Sequence, residues 1–255
     1  MLGGMIRYEV RGPVAWLTLD RPEKLNAMSR DFFAELRETA ARAQADDAVR
    51  VVVFHGAGKS FSVGGDIEGF GELGGVGDRR AYVQEALGAF RAVDELSKPT
   101  IAAVHGHALG GGCELTMVCD LVVADETARF GTPESAVGLF PGPGVVRGRG
   151  NLTLHALKYM IFTGAILDAQ QALAAGLVNE VVPAGEHLVK AEEWADTMAQ
   201  KAPLALAAAK AILNGEGWER FPHVVDAVAM LQGSDDFGEG IAAFADRRRP
   251  QFEGR

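Results

Sequence analysis

The segment Val104–Asp120 reads VHGHALGGGCELTMVCD. It follows the apolar run Thr100–Val104, which is typical of a buried strand. Three glycines, Gly110, Gly111 and Gly112, then lead into a mostly apolar stretch that predicts a helix. A glycine turn before a helix leaves several backbone N–H groups without partners at one point. Together with the helix dipole, these donors suit the binding of an anion or an oxyanion.

Glu114 adds a carboxylate to this turn. It lies three residues after Gly111, and residues at this spacing share one face of a helix. A purely structural explanation fits the segment equally well, because glycine turns let a helix pack closely on a sheet. A glutamate in a first helical turn also complements the helix dipole without any further role. The rest of the chain therefore has to decide between a packing device and a reaction site.

Composition excludes several classes of protein. The 255 residues are 48% hydrophobic and 23% charged, which is typical of a globular chain with a sizeable core. The net charge of −9 argues against nucleic acids and anionic membranes as partners. No apolar run approaches the length of a membrane span, and the first residues lack a signal-peptide pattern. With only two cysteines, Cys113 and Cys119, we predict a cytoplasmic protein.

The predicted elements recur along the chain. A pattern of strand, strand and helix repeats roughly three times, about every 50 residues, which favours stacked units over a doubly wound sheet. From Glu186 onward the sequence predicts helices over 187–201, 203–213 and 222–232. We therefore predict a core over residues 1–185 and a helical region over 186–255, which covers the core or contacts other subunits.

Two further stretches contain residues suited to chemistry. Residues 56–67 predict a strand that ends at Gly64 and Gly65, followed by a short helical piece capped by Asp66. Glu134 follows Pro133, which favours a loop or an edge position, and residues 137–150 predict a loop with one helical turn. Two amide donors can form an oxyanion hole, and of two carboxyl groups one can act as a general acid and the other as a general base. Spacing alone leaves open whether these features meet.

Other kinds of site receive little support. The chain contains no complete GxGxxG, P-loop or GxSxG pattern, which argues against dinucleotide, P-loop and serine-hydrolase sites. His105 and His107 have no acidic or thiol partner at a metal-ligand spacing, so we predict no metal site. Cys113 is expected to be a buried apolar residue and not a nucleophile.

Four segments, in their order, resemble the enoyl-CoA hydratase/isomerase (crotonase) family. They are RPEKLNA (21–27), SFSVGGDI (60–67), HGHALGGGCEL (105–115) and FGTPE (130–134). The resemblance extends through most of the chain. It implies an α/β fold, a crotonase-like spiral of repeated ββα units with a helical C-terminal region. It also implies assembly into a homotrimer or a dimer of trimers.

The resemblance also implies roles for individual residues. The N–H groups of Gly65 and Gly111 would hold the thioester oxygen of an acyl-CoA substrate. Glu114 would activate water for attack at Cβ, and Glu134 would deliver a proton to Cα. The implied substrate and CoA site comprises Lys24, Leu25, Ala27, Val63, Gly64, Gly65, Asp66, Ile67, Gly110, Gly111, Pro133 and Leu139. No cofactor is implied beyond the coenzyme A that the substrate carries.

Enoyl-CoA hydration is the expected reaction, because isomerases, decarboxylases and hydrolases of this fold often lack one of the two glutamates. Those three reactions remain alternatives, since the chain departs from the hydratase pattern after Gly142, where Pro143 follows. Gly65 also replaces a common alanine, and Glu68 stands where some hydratases have lysine. A further alternative, from another class, is a CoA-ester-binding or RNA-binding protein without catalysis. The acidic balance opposes RNA binding, and the presence of both glutamates opposes a non-catalytic role.

Overall fold

A computed structural model describes residues 4–66, 74–214, 221–248 and 250–251. The strands of the described chain are β1 (Ile6–Arg11), β2 (Val14–Leu19), β3 (Val51–Gly56), β4 (Thr100–Val104), β5 (His107–Leu109), β6 (Leu121–Asp125), β7 (Arg129–Gly131), β8 (Ile166–Asp168) and β9 (Glu180–Val182). The helices are α1 (Arg30–Ala45), α2 (Val76–Asp94), α3 (Gly111–Val118), α4 (Gly142–Asn151), α5 (Leu154–Thr163), α6 (Ala169–Ala175), α7 (His187–Ala199), α8 (Pro203–Asn214), α9 (Phe221–Gln232) and α10 (Asp235–Ala245). Two short 3-10 helices cover Pro22–Lys24 and Pro133–Val137.

A six-stranded sheet forms the centre of the fold, in the order β1-β2-β3-β4-β6-β9. Only β1 and β2 pair in antiparallel fashion, and the other neighbours are parallel. In register, Leu17 lies opposite Phe54, and Phe54 lies opposite Ala102. These strands are buried on both faces, which explains why Val51–Phe54 is an unbroken apolar run.

The two faces of this sheet pack against different helices. On one face, Trp16, Val53 and Ile101 form a buried cluster with residues of α7. On the other face, Leu17 and Phe54 belong to the larger core that α1 and α2 complete. Within the described residues, no helix has the length and apolar character needed to cross a bilayer.

A second sheet, in the order β5-β7-β8, lies beside the first. The chain passes from β4 to β5 through a sharp turn at Gly106, where φ is 56°. A Cβ atom there would lie 2.2 Å from the carbonyl oxygen of Lys59, so only glycine fits. The sequence β4, β5, α3 is one ββα unit, and its short second strand starts the turn that leads to Gly110.

The prediction of a loop over 137–150 was wrong for its second half, because α4 is a helix of ten residues. Pro143 lies in its first turn, where the N–H that proline lacks would have no acceptor within the helix. Gly144 and Gly148 lower the helix propensity but bring α4 close to Met117 of α3. Packing between α3 and α4, which the local sequence does not reveal, therefore stabilises this helix.

The predicted strand over residues 56–67 is also absent as a regular strand in its described part. Ser62 and Gly65 form only isolated bridges, to Ala108 and Met28 respectively. The side chain of Asn26 binds the carbonyl groups of Ala57, Ser60 and Phe61, so these groups pair with an amide and not with a strand. The helical piece predicted after Asp66 lies outside the described residues.

Several boundaries also differ from prediction. The sequence predicts a helix from Arg80 to about Leu96 and a strand over 177–182. In the structure, α2 begins at Val76, and β9 is shorter than the predicted strand. Helix α10 was not predicted at all. The division of the chain between residues 185 and 186 stays a prediction.

We expect Gly88→Ala to stabilise the protein by about 0.5–1 kcal/mol, the usual advantage of alanine over glycine inside a helix. Gly88 lies within α2, and a Cβ atom there would meet no atom within 4 Å. Urea denaturation of the variant and the wild type measures the difference. A loss of stability would contradict this account of the packing around α2.

Candidate active site

One cavity of about 550 Å³ brings together the two glycine turns and the two glutamates. Gly65, Gly111, Glu114 and Glu134 all line it. They come from three separate places in the chain, namely the irregular segment before residue 67, the first turn of α3, which contains both Gly111 and Glu114, and the second 3-10 helix. The tertiary structure therefore brings these four residues together, which their spacing in the sequence could not show.

The two glycine turns touch each other directly because neither has a side chain at the contact. Gly64 has φ = 87° and Gly110 has φ = 50°, both in the left-handed region. A Cβ atom on Gly64 would lie 2.7 Å from the Leu109 carbonyl oxygen and 2.8 Å from the Gly111 nitrogen. Glycine at position 64 thus meets both a conformational and a steric requirement.

The amide groups of Gly65 and Gly111 are available to a ligand. Met28 donates to the Gly64 carbonyl at 2.8 Å and accepts from the Asp66 N–H at 2.9 Å. In a parallel bridge of this kind, the N–H of the central residue points away from its partner. Gly111 is the first residue of α3, where N–H groups have no acceptor within the helix. Within the described chain, neither N–H is matched with an acceptor.

Glu114 is held in place by a backbone donor from α4. The residue is 7% exposed, and its Oε1 accepts a hydrogen bond of 3.2 Å from the Gly144 N–H. Burial and the negative charge of Glu134 raise the pKa of Glu114, while the bond from Gly144 opposes this change. The bond favours the ionised form of this carboxyl group.

Glu134 has fewer partners. Its Oε2 is buried and finds no hydrogen-bond partner among the described residues. Its Oε1 lies 3.1 Å from the place that a Cβ atom of Gly110 would occupy, so glycine makes room for this carboxyl group. Burial raises the pKa of Glu134. Two buried carboxyl groups in one cavity favour a state in which one is ionised and the other protonated.

We expect Glu134→Gln to be more stable than the wild type in alkaline buffer. Because burial raises the pKa of Glu134, the folded protein keeps this proton to a higher pH than the unfolded chain does. Wild-type stability therefore falls as the pH rises through the raised pKa, whereas glutamine has no charge to bury. Below about pH 4, the usual range for a glutamate, this advantage should vanish.

Urea denaturation of the two proteins across pH tests this expectation. Glu38→Gln, on the solvent-exposed side of α1, is a matched control that should show no such pH-dependent gain. A stability difference that does not change with pH would contradict the assigned burial of the Glu134 charge.

The structure divides the remaining predicted site residues into two groups. Residues that line the cavity with the four named above are Val63, Gly110, Pro133 and Leu139, and Gly64 lies against Gly111. Lys24 and Leu25 are exposed, and Ala27 is buried, but none of them lines this cavity. Asp66 also lies outside the lining and forms an ion pair of 2.6 Å with Arg21. Ile67 lies outside the described residues.

Asn26 is a positioning residue that the sequence reasoning missed. It is 1% exposed and has φ = 58°. Its backbone carbonyl oxygen accepts a hydrogen bond from the Ser62 hydroxyl at 2.7 Å, and the Ser62 Oγ in turn accepts one from the Gly64 N–H at 3.1 Å. Asn26 therefore fixes the Gly64–Gly65 turn through Ser62. The available signal was the asparagine itself, which tolerates left-handed backbone and bonds to nearby main chain.

The residues of the cavity wall were also not predicted, because their sequence pattern indicates only core positions of helices. Most of it is apolar and comes from α2 and the C-terminal helices. The residues in question are Phe33, Tyr82, Val83, Ala86, Leu87, Phe90, Phe140, Val228, Gln232 and Phe244.

Alternative chemistry has little support in this cavity. Among the residues that the structure describes, no three His, Cys, Asp or Glu side chains group closely enough to hold a metal ion. Cys113 is fully buried, and burial raises the pKa of its thiol, which disfavours the nucleophilic thiolate.

Comparison with known proteins relates this geometry to a family. The sequence model described as enoyl-CoA hydratase/isomerase matches residues 9–255. A short-chain-enoyl-CoA hydratase from Clostridium acetobutylicum is 39% identical over 250 residues, which cover 94% of each chain. A 2,3-dehydroadipyl-CoA hydratase from Escherichia coli is 37% identical and covers 95% of this chain and 96% of that protein.

A solved structure gives the same result for the fold. The crystal structure of carnitinyl-CoA hydratase from Mycobacterium avium superposes with a TM-score of 0.87 and 34% sequence identity. The match covers 99% of this chain and 100% of that one. The predicted α/β fold with a helical C-terminal region is confirmed. This chain belongs to the enoyl-CoA hydratase/isomerase family.

Proposed function

We propose that this protein is an enoyl-CoA hydratase, which adds water across the α,β double bond of an enoyl-CoA thioester. One observation carries the proposal, namely that two buried carboxyl groups share a cavity with two backbone N–H groups that have no acceptor among the described residues. The names of its relatives, which include several hydratases, support the same reaction.

The two amide groups form the oxyanion hole in this proposal. The thioester oxygen lies between the N–H groups of Gly65 and Gly111, and α3 directs its positive dipole end towards it. Attack at Cβ moves negative charge onto this oxygen, so the two donors bind the transition state more tightly than the substrate. Loss of one such donor typically raises the barrier by about 3–4 kcal/mol.

The two glutamates divide the proton transfers. Glu114 is the ionised partner, because the Gly144 N–H stabilises its carboxylate, and it accepts a proton from the water that attacks Cβ. Glu134, whose buried Oε2 has no hydrogen-bond partner among the described residues, is the protonated partner, which delivers its proton to Cα. Water is thereby added as hydroxyl and proton, and exchange of one proton between the carboxyl groups restores the starting state.

The departure from the hydratase pattern after Gly142 is compatible with this mechanism. Pro143 lacks an N–H group, but the next residue, Gly144, supplies the donor that reaches Glu114. The unusual segment therefore removes no contact to the proposed base. This argues for hydration over isomerisation, decarboxylation or hydrolysis.

We further propose that the reaction needs no cofactor besides the coenzyme A of the substrate. Lys24, Leu25, Ala27 and Asp66 are proposed to contact the CoA portion outside the acyl cavity. A chelator such as EDTA should leave the hydration rate unchanged. A strong loss that a particular metal ion restores would contradict this part of the proposal.

A homotrimer or a dimer of trimers is the proposed assembly. Large apolar side chains on α8, including Leu204 at 84% and Ile212 at 81% exposure, support burial against another subunit. Light scattering coupled to size exclusion would measure the assembly, and a monomer at micromolar concentration would contradict it. The two buried free thiols support a cytoplasmic location.

A substrate screen tests the proposed function. Purified protein would be given crotonyl-CoA and longer or aromatic enoyl-CoA esters, with loss of the conjugated thioester absorbance followed and the products identified. We expect 3-hydroxyacyl-CoA products. Binding of acyl-CoA without hydration of any ester would reject the proposal, and a shifted double bond would identify an isomerase.

A further inference from the structure

Helix α4, which supplies the hydrogen bond to Glu114, has a weak preference for helical structure. Four of its ten residues are glycine, which is among the residues least favourable to a helix. The Gly144 nitrogen lies 3.2 Å from the Glu114 Oε1, at the long end of the range for such bonds. A displacement of α4 by a few tenths of an ångström would therefore break this bond. Contacts with other elements have to fix the position of α4.

Arg147 provides such a contact. It lies three residues after Gly144, and its Nε is 3.0 Å from the Asp94 Oδ1. Asp94 is the last residue of α2, where the negative end of the helix dipole also favours a cation. The Arg147 Nη1 donates to the Asn214 carbonyl oxygen at 3.1 Å, so the same side chain also reaches α8. One guanidinium group therefore joins α4 to two other helices.

The ion pair between Arg147 and Asp94 is almost removed from solvent. The Asp94 side chain is 2% exposed, and the Arg147 side chain is 14% exposed. Loss of one member of a buried ion pair leaves the other charge desolvated without its partner, so the surrounding structure has to move or admit water. The Asn151 side chain also anchors α4, by donating to the Met117 carbonyl oxygen, but it lies at the other end of the helix from Gly144.

We propose that Arg147 is a positioning residue for the proposed base, because its contact with Asp94 holds α4 where the Gly144 N–H reaches Glu114. This inference rests on the proposed function, since it concerns the base of that reaction. Arg147 does not line the cavity, so its effect on the reaction passes through Gly144.

The titratable groups around Glu114 determine how this role can be measured. Among the described residues, Glu134 and Tyr82 line the cavity with it, and Cys113 precedes it in α3. Burial raises the pKa of the Tyr82 hydroxyl and of the Cys113 thiol, so both stay neutral in the assay range. Besides the positioning residue itself, the charged residue of α4 is the exposed Arg149. The two glutamates therefore control the acidic side of the pH profile.

Loss of the bond from Gly144 should shift this acidic side. Burial and the charge of Glu134 raise the pKa of Glu114, whereas the bond from Gly144 opposes the rise. Without the bond, the apparent pKa of the glutamate pair rises, so the base takes up its proton at a higher pH. The acidic limb of kcat/KM, which reports the free enzyme, then moves to higher pH. A residue that only stabilised the fold would leave this limb in place.

The pH profile of hydration tests the inference, using the ester that the wild type hydrates fastest in the substrate screen. For Arg147→Met we expect kcat to fall about 10–100-fold, with a much smaller change in KM. The acidic limb should move up by about one pH unit, the effect of one hydrogen bond to a charged group. Arg147→Lys keeps a cation for Asp94 but loses the planar fork, so its shift should be smaller and in the same direction. Arg149→Met, on the exposed side of α4, is the matched control and should keep the wild-type profile.

Circular dichroism and urea denaturation show whether each variant is folded at the temperature and pH of the assay. A wild-type acidic limb in folded Arg147→Met would overturn the inference while leaving the proposed function intact. If Arg147→Met does not fold, Arg147→Lys decides the question, and an unshifted limb in that variant would overturn the inference. A wild type that hydrates no ester would reject the proposed function and the inference together.

Discussion

Glu114→Gln is expected to lower kcat for enoyl-CoA hydration by about 10²–10⁴-fold, the range for loss of a positioned general acid or base. Glutamine keeps the shape of the side chain and can still accept the hydrogen bond from Gly144, but it cannot take a proton from water. Because substrate contacts along the apolar wall remain, KM should change far less than kcat. Steady-state kinetics on the best substrate of the screen gives both values.

Glu134→Gln should cause a loss of similar size, since protonation at Cα then lacks its donor. The control is Glu38→Gln, which removes one exposed negative charge on α1 from a residue that does not line the cavity. It should keep wild-type kcat and KM. Wild-type hydration by Glu114→Gln would reject the assigned base. If Glu114→Gln kept the wild-type activity while Glu134→Gln was inactive, double-bond isomerisation would explain the site better than hydration.

Gly64→Ala is expected to lower kcat by about 10²–10³-fold, which is the effect of removing one oxyanion-hole donor. The new Cβ atom would lie 2.8 Å from the Gly111 nitrogen and 2.7 Å from the Leu109 carbonyl oxygen. Both are backbone atoms, so the two turns have to move apart. The φ of 87° adds strain for any residue with a side chain. The N–H groups of Gly65 and Gly111 would then no longer converge on one oxygen.

Gly88→Ala is the matched control for this prediction, because it makes the same substitution where a Cβ atom has open space. It should keep wild-type kcat. Circular dichroism and urea denaturation show whether Gly64→Ala is folded at the assay temperature, so that a catalytic loss is separated from unfolding. A folded Gly64→Ala with wild-type kcat would contradict the oxyanion role of this turn.

The local sequence was sufficient where the structure depends on near neighbours. The buried strand Thr100–Val104 was predicted with its observed ends, because an apolar run between Pro99 and Gly106 has few other interpretations. The sequence also predicts that Asp168 caps a helix that ends at Gly176. In the structure, the Asp168 side chain accepts from the Gln171 N–H, and Gly176 follows the last residue of this helix. Such signals act over one or two turns, so they can be read directly from the chain.

Prediction failed where distant contacts override local preference. Helix α4 has glycine and proline in a pattern typical of a loop, yet it forms because Gly144 and Gly148 pack closely on α3. The segment before residue 67 was expected to be a strand, but Asn26, more than 30 residues earlier, binds its carbonyl groups. The local sequence of α4 does not reveal its packing on α3, and the local sequence before residue 67 does not reveal the hydrogen bonds from Asn26.

The sequence by itself determined the family, the fold and the residue types at the site, because the two glycine turns and two glutamates occur in a characteristic order. Tertiary structure alone decided that these groups share one cavity and that the pKa values of both carboxyl groups are raised. It also decided that Arg147 and Asp94 form a buried ion pair. Burial and electrostatic repulsion depend on distance in space, and distance in space arises only when remote segments pack together.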